Sequence, residues 1–247
     1  MEVLKIIAEG LTTSFRYPHF MQGVQPTFRM PPPATIYGHI CSALGEWFDP
    51  TGVLFGVYFS YKGTFEDMEH IHVVVPGKGR LPRSKDPKVL EGRINPFRRE
   101  ILAYPSLTIY INQPQWIDAF RHPRYPVVLG RSQDLFVYRH IEIISLKRRE
   151  HAYFEHTLAP YSFTRHTGVG QVVTMPRFLD YRQWREPQFA RYVVLHRRVH
   201  TREFLHFAED PVPRYWIDPT APKINADPLG VPLHSWVGEN DSVHRLV

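Results

Sequence analysis

The chain has 247 residues, enough for one large domain or two small ones, and an apolar content of 43% argues against wholesale disorder. Thirty Lys and Arg against twenty-four Asp and Glu leave a net charge of +6, an excess that favours an anionic partner. A single cysteine, Cys41, excludes an internal disulfide and fits a reducing cytosol, where it reads as a small apolar filler in a helix.

The opening Met1-Glu2-Val3-Leu4-Lys5 lacks the charged-then-apolar layout of a signal peptide, and the longest apolar run, around Val53 to Phe59, is too short for a bilayer. A soluble, cytoplasmic protein with no membrane partner is the expectation. The 23 prolines deny helices to much of the chain and point to strands joined by fixed loops.

In chain order, Val3 to Ala8 reads as a first strand. A loop carrying Phe15-Arg16-Tyr17-Pro18 and Gln25-Pro26-Thr27 ends in Pro31 to Pro33. From Ala34 to Phe48, Ile36, Ile40, Leu44 and Trp47 recur at three- and four-residue steps, which predicts an amphipathic helix with Pro33 at its entrance. Val53 to Tyr61 and His70 to Val75 are strands around a Lys62-Gly63 turn. The segment from Gly77 to Glu100 then holds eight Lys or Arg against three acids, with three glycines and three prolines, and reads as an irregular basic excursion. Ile101 to Ile111 resumes as a strand interrupted by Pro105. Trp116 to Arg121 is a short helix, and Leu135 to Leu146 a further strand. This order predicts an α+β fold with a ferredoxin-like (RRM/RAMP-type) βαββαβ core over 1–146, its helices on one face of an antiparallel sheet. The 77–100 insertion lies within it, and a smaller β-rich part follows over 147–247. There, Gln171 to Thr174 and Ala190 to Val199 look like strands, and Trp216 and Trp236 like anchors.

In the excursion, Lys78, Arg80, Arg83, Lys85, Lys88, Arg93, Arg98 and Arg99 can neutralise phosphates, and Leu81, Val89, Leu90 and Phe97 can wedge between bases; the same composition also suits a solvated, mobile loop. In Gly130-Arg131-Ser132-Gln133-Asp134, the glycine lets backbone approach a ligand, Arg131 offers a planar fork, and Ser132 and Gln133 hydrogen-bond at short range. The alternative is a turn with an Arg131–Asp134 ion pair. Phe15, Arg16 and Tyr17 with Gln25 and Thr27 mix the groups that stack on and read unpaired bases; the alternative is that Phe15 and Tyr17 simply fill the edge of the core.

Enzyme-like constellations are weak. His196 and His200 sit in a strand-like run where four residues span about 13 Å, too far for one ion. Gly168-Val169-Gly170 lacks a phosphate-loop lysine, and no metal or cofactor is expected. Tyr37, His39, Arg139 and His140 offer acid–base groups, but no nucleophile–base–orienter trio is visible.

The block Gln25-Pro26-Thr27 and Met30-Pro31-Pro32-Pro33-Ala34-Thr35-Ile36-Tyr37-Gly38 resembles the fifth CRISPR-associated family, a RAMP-superfamily subunit of type I Cascade complexes, in its I-B-like form. The likeness continues through Phe59–Gly63, Arg98-Arg99-Glu100, Leu129–Leu135 and Thr174–Arg177, and covers roughly residues 1–200 in family order. It implies a thumb mapped onto 77–100. It also implies a subunit that caps the 5′ handle of the CRISPR RNA through Arg16, Gln25 and the Gly130–Asp134 loop, and the lack of a catalytic trio makes it non-catalytic in this reading. Its partners would be the Cascade backbone subunit and the large subunit, with target DNA met indirectly. Members of the I-C branch cleave precursor RNA with a Tyr and an adjacent Lys-His pair. Tyr37 is the comparable tyrosine here, but Arg139-His140 stands nearest to that pair, and an arginine that stays protonated is a poor proton shuttle. Tyr37 and His140 are thus the residues of the alternative reading, a metal-independent endoribonuclease.

Overall fold

Alternation along the first strand, β1 (Glu2–Gly10), buries Leu4, Ile6 and Ala8 on one face and Val3 on the other, so both faces are covered. The computed structural model describes residues 1–20, 23–206 and 213–238. It is mixed α and β, rich in strands with few helices. After β1 comes helix α1 (Pro33–Leu44), entered through Pro33, whose missing N–H is harmless in a first turn. Gly45 ends it at φ 86°, a left-handed cap whose N–H returns to the Cys41 carbonyl. The helix expected to reach Phe48 therefore stops earlier, and Trp47 instead stacks on Tyr181 at 4.3 Å.

Strand β2 (Leu54–Ser60) leads into β3 (Gly63–Pro76), which pairs along its length with β4 (Leu90–Ala103). The irregular excursion expected over 77–100 is corrected here: 77–89 is a loop, and from Leu90 onward the chain is strand. Gly92 and Pro96 disguise β4 in the sequence, and solvent on both faces removes the apolar alternation that marks a strand. Tyr104, at φ 50°, turns the corner into β5 (Ser106–Ile111). Then follow α2 (Ile117–Arg121), β6 (Phe136–Ser145), β7 (Thr157–Pro160), β8 (Gln171–Asp180) and β9 (Glu186–Leu195). The strand expected over Gln171–Thr174 extends through Pro176, where a register shift between Pro176 and Phe178 absorbs the proline.

The main sheet runs β8–β9–β7–β2–β5–β1–β6, with His234–Ser235 also paired to β2, and every pairing is antiparallel. Its right half has the order β2–β5–β1–β6, with α1 between β1 and β2 in the chain and α2 between β5 and β6. Strands from both sides of residue 146 take part in this sheet and in one buried cluster, where Leu4 and Ile6 lie with Tyr192, Val194 and Trp236. Trp236 donates to the Pro33 carbonyl at 2.8 Å and stacks on Phe55, which makes it the anchor its position suggested.

A second sheet of five short strands, ordered Val199–His200, Tyr153–Phe154, Leu229–Gly230, Tyr215–Asp218 and Lys147–Arg149, belongs to the side of β1 away from α1. There Val3, Tyr110 and Ile144 pack with Leu146, Val231 and Leu233, and Trp216 joins them. Lys5 closes the junction, its Nζ 2.8 Å from Asp218 Oδ2, while the Tyr110 hydroxyl donates to the same oxygen at 2.9 Å. Burial works against the Asp218 charge, but hydrogen bonds from Lys5 and Thr220 hold its carboxyl below the usual value.

Candidate nucleic-acid interface

Three of the sequence signals converge on α1. Its apolar positions Ile36, Ile40 and Ala43 face the core, which leaves Thr35, Gly38 and Ser42 on the opposite side. That side forms one wall of an open groove of about 540 Å³, completed by Phe15–Arg16, by the Val128–Gly130 loop and by the β8–β9 hairpin through Leu179, Arg185 in its turn, and Phe189. Gly38 is exposed, and a Cβ added there would meet no atom within 4 Å. A mid-helix glycine costs about 1 kcal/mol against alanine, and no packing contact demands this one. A bare backbone facing a groove is what close approach of a ligand requires.

Gly130 is a different case. At φ 94°, its missing Cβ lies 2.5 Å from Thr13 Oγ1 and 2.7 Å from the Ser14 carbonyl, so the loop closes only with glycine. Thr13 donates to the Leu129 carbonyl at 2.6 Å, and Thr12 to Asp134 Oδ1 at 2.8 Å. Asp134 is fully buried and holds the Arg131 guanidinium through two bonds, at 2.9 and 2.7 Å, while Arg131 Nη1 donates to Glu69 of β3 at 2.6 Å. Arg131 is therefore spent inside the protein, whereas Ser132 and Gln133 remain exposed on the loop. The Arg131–Asp134 pair weighed from sequence as part of a turn is a buried, two-pronged one.

His39 ties α1 to the same loop. Its Nδ1 donates to the Val128 carbonyl at 2.8 Å, and its Nε2 accepts from the Tyr138 hydroxyl at 3.0 Å. Complete burial lowers its pKa, so the ring is held neutral.

The remaining sequence candidates divide. Thr27 is buried, accepting from the Phe15 N–H at 2.7 Å and donating to the Phe28 carbonyl, and Gln25 is 1% exposed. Thr27 braces the Phe15–Phe28 bridge, Gln25 pairs with Arg99 of β4, and neither lines the groove. Phe15 itself packs edge-on against Phe59. Arg16 is exposed, and its backbone bridges Thr27. Arg99 is mostly buried on Glu69 at 2.6 Å, Arg98 lies 3.4 Å from Glu66, and Lys88 is 3.2 Å from Glu91. Lys78, Arg80, Arg83 and Lys85 at the arm tip, with Arg93 in β4, are exposed and make no ion pair among the described residues. Leu81, Val89, Leu90 and Ile94 are exposed beside them, at 46 to 73%. Phe97, grouped with the wedges, is buried at the arm's base.

Tyr37 and His140 do not meet. Tyr37 donates to the Phe48 carbonyl at 2.6 Å and packs on Phe178 and Trp236, on the α1 side of the sheet. Burial pushes its phenol well above the usual value. His140 pairs with Ile7 across β6 and β1, beside Glu142, on the face that Lys5 shares. Burial pushes the Cys41 thiol up to about 11, consistent with a filler. His200 bonds Asp227 at 3.0 Å rather than pairing with His196, and no metal-binding group occurs among the described residues.

Sequence reasoning missed the turn between β8 and β9. Trp184 there is 100% exposed at φ 56°, between Arg182 and Arg185, and Arg185 reaches the groove. The neighbouring Tyr181-Arg182-Gln183-Trp184-Arg185, two cations among aromatics, was the available signal.

No family model matches the sequence, and comparison with curated proteins returns none similar to it. Among solved structures, the chain is similar to one from a CRISPR RNA-guided surveillance complex at 17% identity and a TM-score of 0.48, over 80% of this chain and 89% of that one. A chain of the Type III-B Cmr-beta complex bound to cognate target RNA and AMPPnP matches at 12% and 0.45, over 82% and 86%. A CRISPR protein from Archaeoglobus fulgidus matches at 10% and 0.42, over 80% and 87%. No helix among the described residues is long and apolar enough to cross a membrane.

Proposed function

We propose that the chain is a non-catalytic RNA-binding subunit of a type I CRISPR Cascade complex, holding the 5′ handle of the guide RNA in the α1 groove. The observation that carries this reading is Gly38. It ends the proline-rich block that resembles the fifth CRISPR-associated family, and it leaves α1 bare where the helix faces Arg16 and the Gly130 loop. The order β2–β5–β1–β6, with helices after the first and third of these strands in the chain, supports reading the core as a ferredoxin-like RAMP unit. The β3–β4 arm takes the place of the thumb: its tip cations meet phosphates, and its exposed Leu81, Val89 and Leu90 suit insertion between bases. Backbone and large subunits of the complex, in the cytoplasm, are the partners of this reading, with target DNA met indirectly.

The test is purified protein with labelled repeat RNA in EDTA. Binding without cleavage, competed by handle RNA and weakened by Gly38→Asp, is expected. A discrete cut at the base of the handle would establish the endoribonuclease instead, and absence of binding at low salt would remove the reading altogether.

A further inference from the structure

The second sheet carries a concavity of its own, about 690 Å³, on the side of β1 away from the α1 groove. Around it stand Lys147, Arg148, Arg149, Arg202, Arg214 and Lys223, with only two carboxylates, Glu150 and Asp227. The local excess is four charges, in a chain whose net charge is +6.

That excess already counts both carboxylates, and one of them is committed to Arg202. Asp227 is buried and already bound, accepting from His200 Nδ1 at 3.0 Å and from Arg202 at 3.1 Å. Burial works against its charge, but those partners hold its carboxyl below the usual value. Lys147, Arg149, Arg214 and Lys223 are exposed and make no ion pair among the described residues.

Geometry sets their spacing. Lys147–Arg149 is the edge strand of the small sheet, and its first and last residues share a face about 6.6 Å apart. Arg149 pairs opposite Tyr215, which puts Arg214 one position beyond on the neighbouring strand. Ile217, Pro219 and Pro228 supply an apolar lining between the cations. Like charges collected in a concavity repel one another and concentrate anions there. Cations spread along a strand edge and past the end of the neighbouring strand fit a row of phosphates better than one small anion.

We infer that this basin is a second nucleic-acid site, taking the sugar-phosphate backbone of a strand independently of the α1 groove. Its contacts are to phosphate, so it discriminates little between sequences.

The experiment uses the full chain and fluorescence anisotropy with three labelled probes of mixed sequence: single-stranded RNA, single-stranded DNA and duplex DNA. Lys147→Ala/Arg149→Ala/Arg214→Ala should lose about tenfold in affinity for at least one probe and flatten the salt slope by about two, at 0.7 per phosphate neutralised on a single strand. The probe that loses most identifies the source of the strand. Lys147→Arg/Arg149→Lys/Arg214→Lys should bind as the unaltered chain does. Lys223→Glu, which alters no strand residue, should weaken binding in the same direction and so covers any failure of the triple variant to fold. Repeating the series in a Gly38→Asp background separates the sites, because loss at the basin should persist when the α1 groove is blocked. Unchanged affinity and salt slope for all three probes in both the triple and Lys223→Glu variants would overturn the inference.

Discussion

Arg131 and Glu69 meet at 2.6 Å although 62 positions separate them, and this contact joins the Gly130 loop to the base of the β3–β4 arm. Glu69 also takes Arg99 from the opposite strand at 2.6 Å, and Arg131 is forked on buried Asp134. Burial works against the Glu69 charge, but hydrogen bonds from Arg131 and Arg99 outweigh it and hold the carboxyl below its ordinary value. One ion-pair chain thus sets how the arm leaves the body beside the groove.

Arg131→Ala should therefore act on folding before it acts on RNA. It leaves the Asp134 charge buried without its partner, a loss of about 3–5 kcal/mol. Glu69→Gln, which leaves the Arg131–Asp134 fork intact, should cost far less. Urea unfolding of both variants checks the ranking, and equal costs would show that Asp134 finds another partner. Because the Glu69 pKa is lowered in the fold, its contribution is present above the ordinary carboxyl value and is lost as pH falls through the folded one.

The arm tip should behave in the opposite way. Lys78, Arg80, Arg83 and Lys85 are exposed and touch nothing the fold depends on. Replacing residues 78–88 with a short Gly-Ser turn should leave the melting temperature within about 2 °C, since surface changes stay within roughly 0.5 kcal/mol. Guide affinity should fall, and its salt slope should flatten by about 0.7 for each phosphate that the tip no longer neutralises. An unchanged slope would mean the tip meets no phosphate.

The contrast between these two regions shows what was legible in the sequence. Strong periodicity placed β1, α1 and β2 within a few residues, and Trp236 was visible as an anchor. Of the arm, His70 to Val75 was legible but the returning strand β4 was not, because a ribbon strand solvated on both faces has no apolar period, and Gly92 and Pro96 look like breakers. The burial of Arg99, Gln25 and Thr27, and the contact of Arg131 with Glu69, were hidden for another reason. A cation or amide near glycine reads alike whether it faces solvent or a buried carboxylate from a distant part of the chain. The groove itself depends on Arg185, in the β8–β9 turn, and on Phe189 of β9, whose pairing no local pattern predicts.

Histidine should govern stability near neutrality. His39 is neutral in the fold, and burial lowers its pKa from the ordinary 6.5. A lowered folded pKa means the stabilisation is complete above the unfolded value and lost as pH falls through the folded one. His196 shifts in the same direction, chiefly through burial. Unfolding free energy should thus fall as pH drops below about 6.5, before the carboxylates titrate. His39→Phe should lower stability at pH 7.5 by about 1–3 kcal/mol, through the unpaired Val128 carbonyl and Tyr138 hydroxyl, yet flatten that slope. An equally steep slope in the variant would assign it to other histidines.

Gly38 separates the needs of the fold from those of the ligand. In the unbound protein a methyl group at this position meets nothing, and the residue sits mid-helix, so Gly38→Ala should stabilise the isolated chain by about 0.4–1 kcal/mol. With handle RNA against α1, the same methyl stands where backbone and phosphate approach most closely, so affinity should drop while stability rises. Larger side chains should deepen the loss, with Gly38→Asp worst, because it adds charge repulsion to the steric clash. Thermal melting and handle-RNA titration on one preparation read both effects. Gain in stability with unchanged affinity through the whole series would place the RNA elsewhere on the molecule. Loss of stability in Gly38→Ala would mean that α1 needs glycine for itself.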